Sequence, residues 1–96
     1  MEKAHEVRLP SLSGASDEIR VVEWLRHVGD AVGIDDLLLR VESEESQFDI
    51  ESASAGVLLR ILVQPGEVLR EGDIVAFVGD PGDSMPASQR GDMTWH

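Results

Sequence analysis

Five carboxylates crowd one short stretch of the chain: Glu42, Glu44, Glu45, Asp49 and Glu51. Paired carboxylates can exchange protons with a substrate or bind calcium. Neither chemistry fits this pattern: the acids follow an exposed hairpin, no pocket is implied, and calcium-loop spacing is absent. A solvated acidic face is the simpler reading. His5, His27 and His96 are scattered without metal-ligand spacing. The chain has no cysteine, which excludes a disulfide framework, a thiolate nucleophile and a cysteine zinc site. Ser11, Ser13 and Ser16 lie in a glycine-containing loop, without the sharp strand-to-helix turn that presents a nucleophilic serine. No catalytic group emerges, and the chain is not expected to be an enzyme by itself.

The acids need a scaffold, and the residues around them supply one. With Glu44-Glu45 as central turn residues, Ser43 faces Ser46, Val41 faces Phe48 and Leu39 faces Ile50 on one side. On the other side Arg40 meets Asp49, a cross-strand pair of opposite charge. The register gives one apolar face, one charged face and a polar tip. The turn lacks Asn-Gly and Asp-Gly, so a type I turn is expected rather than a primed one. Glu44 and Glu45 then project into water.

The same strand character extends from Val7 to Val78. Short apolar runs occur at Val7–Leu9, Ile19–Leu25, Leu37–Val41, Phe48–Ile50, Val57–Val63 and Ile74–Val78, separated by turn residues. Eight short strands are expected, and no segment sustains a helical period. Trp24 is expected to contribute to the core or partly cap it. An internal repeat organises the strands. Gly29-Asp30-Ala31-Val32 and Asp35-Asp36-Leu37-Leu38 recur 37 residues later as Gly66-Glu67-Val68-Leu69 and Gly72-Asp73-Ile74-Val75. Two copies favour a sandwich or flattened barrel with a pseudo-two-fold axis over a solenoid, which needs about three or more. If the second turn of each copy requires positive φ, Asp35 tolerates it less well than its counterpart Gly72.

Length allows one domain. The expected division is a disordered leader over 1–5, a domain over 6–79 and a flexible linker over 80–96. No apolar run is long enough for a membrane helix. The net charge of −11 opposes binding to nucleic acid and anionic membrane, and makes a basic protein surface the natural counterpart. A cytoplasmic, monomeric domain is expected.

The order and spacing of these pieces resemble the biotinyl/lipoyl domain family, especially its lipoyl branch. The resemblance rests on Glu6-Val7-Arg8-Leu9-Pro10, Val21-Val22-Glu23-Trp24-Leu25, Val28-Gly29-Asp30, Val41-Glu42-Ser43, Asp49-Ile50-Glu51 and Gly56-Val57-Leu58. Pro65-Gly66-Glu67 and Glu71-Gly72-Asp73 complete it. It implies an all-β fold of two four-stranded antiparallel sheets with the hairpin turn at one end. In lipoyl domains one glycine lies sixteen residues before the modified lysine and another eleven after it; Gly29 and Gly56 both point to Glu45. The family's tip commonly reads Asp-Lys-Ala, whereas this chain reads Glu44-Glu45-Ser46.

That departure changes the expected chemistry. Lipoylation and biotinylation both need a lysine amine, and the only lysine here is Lys3, away from the hairpin. No cofactor is therefore expected. The resemblance implies a docking module, near the N-terminus of an acyltransferase like those of 2-oxoacid dehydrogenase complexes. Its implied partners are acyltransferase or dehydrogenase components of such a complex, or a carrier protein. Candidate interaction residues are Glu42, Glu44, Glu45 and Asp49 on the hairpin, with Leu12, Ser13 and Glu18 from a loop that in the family packs near the modified turn. The alternative is a lipoyl swinging-arm domain whose lysine was deliberately replaced by Glu45.

Overall fold

The computed structural model describes residues 4–12 and 18–82. Eight strands form in chain order: β1 (His5–Arg8), β2 (Ile19–Trp24), β3 (Ala31–Val32), β4 (Leu37–Glu42), β5 (Gln47–Glu51), β6 (Gly56–Ile61), β7 (Val68–Leu69) and β8 (Ile74–Gly79). They build two four-stranded antiparallel sheets, ordered β1-β8-β6-β3 and β5-β4-β2-β7. The expected all-β fold is present. β1 begins at His5 and Ala4 is buried, so ordered structure reaches into the stretch expected as a leader.

The repeat is reproduced bond for bond. In the first copy the Gly29 amide donates to the Leu58 carbonyl, and the Leu58 amide donates to the Asp30 carbonyl, at 2.8 and 2.9 Å. In the second, Gly66 donates to Val21 and Val21 to Glu67 at the same distances. Each acid turn is closed by its own carboxylate: the Gly33 amide donates to Asp36, and the Arg70 amide to Asp73, at 2.8 and 2.9 Å. The repeat thus relates β4 to β8, β2 to β6, β3 to β7 and β5 to β1. Asp35 has φ +75° and Gly72 has φ +91°, so the turn does require the left-handed region in both copies.

β-Bulges also recur at equivalent places. In the β4–β5 pairing Leu37 faces Glu51 and Leu39 faces Ile50, leaving Leu38 as the extra residue. In the β1–β8 pairing Val75 is skipped in the same way. The bulges let consecutive residues enter the core: Leu38-Leu39 and Val75-Ala76 are all fully buried. The core lies between the sheets, around Leu9, Val21, Leu38, Leu39, Val41, Leu58, Leu69 and Val78. Trp24 packs against it half-buried, and its indole Nε1–H donates to the Val63 carbonyl at 2.8 Å. That bond satisfies its polar edge while the ring covers apolar surface.

Gly56 is fixed by close approach. Its φ is +155°, and a Cβ there would lie 2.9 Å from the Gly79 carbonyl oxygen. Only a residue without a side chain lets β6 pass β8 at this point.

Candidate functional site

The acidic hairpin forms in the expected register: Leu39 faces Ile50, Arg40 faces Asp49, Val41 faces Phe48 and Glu42 faces Gln47. Alternation drives this, because a slip of one residue would turn Val41 outward and Arg40 into the core. The Ser43 amide donates to the Ser46 carbonyl at 2.8 Å, closing the turn. Ser43 Oγ then accepts from the amides of Glu45 and Ser46 at 3.3 and 3.2 Å. A serine hydroxyl thus satisfies backbone donors that a two-residue turn leaves open. Neither Glu44 nor Glu45 has positive φ, which excludes the primed turn types as expected. Glu44, Glu45 and Ser46 are all exposed.

The acids of the hairpin differ in their surroundings. Arg40 Nε donates to Asp49 Oδ1 at 2.9 Å, and its Nη1 donates to Glu23 Oε2 at 3.2 Å. The hydrogen bond to Asp49, then the Asp49 charge and the Glu23 charge, raise the Arg40 pKa above its already high ordinary value. Asp49 is therefore part of an ion-paired outer face rather than an open acid. Glu42 and Glu44 instead meet Glu18, Arg20, Ser43 and Val68 around a small cleft of about 190 Å³. The structure thus brings Glu18 of the predicted loop next to the hairpin acids. Leu12, from the other end of that loop, lies elsewhere, in a groove with Gln47, Phe48 and Asp49. Ser13 lies outside the described residues.

Phe48 was expected in the apolar face of the hairpin; it packs against the core but is only half-buried, because β5 is an edge strand. Sequence reasoning did not single out Ser52, the one buried polar side chain among the described residues. Its Oγ–H donates to the Ser54 carbonyl at 2.6 Å, and its main chain exchanges two 2.8 Å bonds with Asp35 and Asp36. Its counterpart in the second copy is Leu9, which makes the equivalent bonds to Gly72 and Asp73. Among the described residues no group of three histidines, cysteines or acids is placed to hold a metal ion.

Two four-stranded antiparallel sheets related by a repeat, with a short exposed hairpin turn at one end, define a biotinyl/lipoyl-type domain. The chain belongs to that family: residues 5–78 match the biotin/lipoyl family described as "Biotin-requiring enzyme". It is 34% identical over 85 residues to the dihydrolipoyllysine-residue acetyltransferase component of the pyruvate dehydrogenase complex of Corynebacterium glutamicum, covering 88% of this chain and 12% of that protein. The chain therefore spans only a small part of that curated relative. Among solved structures, it resembles the lipoyl domain of the 2-oxoglutarate dehydrogenase complex from Azotobacter vinelandii, with TM-score 0.60 and 18% identity over 79% of this chain and 99% of that one. It also resembles Kluyveromyces lactis urea carboxylase, with TM-score 0.68 and 20% identity over 82% of this chain and 6% of that one.

A lipoyl or biotinyl group is held through an amide to a lysine amine. The turn offers two carboxylates, Glu44 and Glu45, between two hydroxyls, Ser43 and Ser46. No lysine occurs among the described residues, and Lys3 lies outside them. The residues at this turn do not fit the attached group.

Proposed function

We propose that this chain is a non-lipoylated lipoyl-type domain that docks partners within an acyltransferase related to those of 2-oxoacid dehydrogenase complexes. The observation that carries the reading is the exposed Glu44-Glu45 turn. It stands at the tip of a well-formed hairpin, and it has no nucleophilic amine to acylate. The glycine spacing around Glu45 supports placing it at the attachment position. The parent acyltransferase takes its acyl group from coenzyme A or a carrier protein, so the lipoyl arm is dispensable. Docking uses the hairpin acids with Leu12, Ser13 and Glu18 against a basic surface in the cytoplasm.

Co-expression with a lipoate ligase, followed by intact-mass measurement, tests the first half of this reading. An unchanged mass is expected, and a lipoyl-sized gain contradicts it. Amide shifts on titration with the rest of the parent protein test the second half. They are expected at Leu12, Glu18 and Glu42–Asp49; shifts confined elsewhere contradict docking through this surface.

A further inference from the structure

We propose that the edge of β5, unpaired by any other strand among the described residues, receives an extended, basic partner segment as a fifth strand of its sheet. This deepens the docking reading and rests on it. β5 is the outer strand of the β5-β4-β2-β7 sheet. The Ser43–Ser46 closure fixes which of its backbone groups are used. Bonded and non-bonded pairs alternate along an antiparallel ladder, so Phe48 and Ile50 bond to β4 while Gln47 and Asp49 turn their N–H and C=O groups away from it. Those groups form a ready template for another strand.

A groove of about 620 Å³ lies along this edge, lined by Arg8, Pro10 and Leu12 on one side and by Phe48, Asp49 and Glu51 of β5 on the other. The half-buried Phe48 and Leu12 supply apolar contact for inward-pointing partner side chains. Glu51 and Asp49, the latter shared with Arg40 at 2.9 Å, lie outward along the strand, at the spacing of alternate residues. The complementary segment is therefore about five residues long and alternates apolar with arginine or lysine.

Charge selects this occupant over a second copy of the chain. Two β5 edges brought together would set Asp49 and Glu51 against their own counterparts, and like charges directly opposite are destabilising. The repeat-related edge, β1, lacks this character. At the places equivalent to Asp49 and Glu51 it carries Glu6 and Arg8, an acid and a base that pair with each other at 2.8 Å.

The test titrates the isotope-labelled chain with the acetylated, amidated peptide Arg-Val-Arg-Val-Arg, following backbone amides by NMR. Saturable shifts confined to Gln47–Ser52 and Arg8–Leu12 are expected. N-methylation of alternate peptide residues, which removes donors without changing charge, should weaken binding about tenfold or more. Glu51→Gln should weaken it about threefold, whereas Gln64→Arg, an equal change in net charge at an exposed turn outside the groove, should leave it unchanged. Absence of saturable shifts overturns the proposal, as does undiminished binding of the N-methylated peptide. Shifts centred on Glu42–Glu45 overturn it while keeping docking at the hairpin tip. A lipoyl-sized mass gain on the unaltered chain would instead sink the non-carrier reading, whatever the titration gives.

Discussion

Arg40 and Phe77 occupy the same place in the two copies of the repeat, on the outer face of a central strand. Arg40 is held in water by Glu23 and Asp49, while Phe77 is 1% exposed and packs with Ala4, Leu59, Leu62 and Ile74. The backbone bonds beneath them are equivalent, down to the bulges and the carboxylate-closed turns. The scaffold therefore tolerates opposite surface chemistry at one position, and the difference is local to the face. The ends of the copies differ as well. β4 continues through the Ser43–Ser46 turn into β5, whereas the related strands β8 and β1 are not joined by a turn. The exposed acids Glu44, Glu45 and Asp49 lie on that hairpin, which the second copy lacks.

The sharpest way to break this comparison is Phe77→Ala, which should cost about 4 kcal/mol in chemical denaturation because a fully buried ring is lost. Arg40→Ala, at the equivalent half-buried position, should cost clearly less. Equal losses would mean that the two faces are energetically alike after all. Next is Gly56→Ala, expected to cost about 3 kcal/mol by forcing the new methyl against the Gly79 carbonyl in a left-handed backbone. Phe48→Ala should cost about 2 kcal/mol, less than a fully buried phenylalanine; a loss matching that of Phe77→Ala would place Phe48 inside the core.

Smaller effects sharpen the equivalence of the turns. Gly72→Asp should lower stability by about 1 kcal/mol, and Asp35→Gly should raise it by about 0.5 kcal/mol, since both sites need positive φ. A gain from Gly72→Asp, or a loss from Asp35→Gly, would show that the two turns are not interchangeable. Glu45→Lys should change stability by under about 0.5 kcal/mol, because the tip is exposed.

Much of this was legible in the sequence because it depends on local pattern. The offset of 37 residues exposed the repeat, and alternation around Glu44-Glu45 specified the hairpin register. Asp35 at the place of Gly72 anticipated a shared positive φ. The bulges were not legible. Leu37-Leu38-Leu39 reads as a plain apolar run, and which leucine is the extra residue depends on the partner strand. The burial of Phe77 on an outer face was equally hidden, since strand alternation only separates inside from outside. The two-residue strands β3 and β7 carry too few residues for a pattern. At the candidate site, the exposed tip followed from the register, but the separation of Leu12 from Glu18 required the tertiary arrangement.

The proposed function puts Glu45 at the position where the family attaches its prosthetic group. Three single variants, Glu44→Lys, Glu45→Lys and Ser46→Lys, co-expressed with a lipoate ligase and weighed intact, test it most directly. A lipoyl-sized gain is expected for Glu45→Lys alone. No gain in any variant, or a gain at a neighbouring position instead, would contradict it.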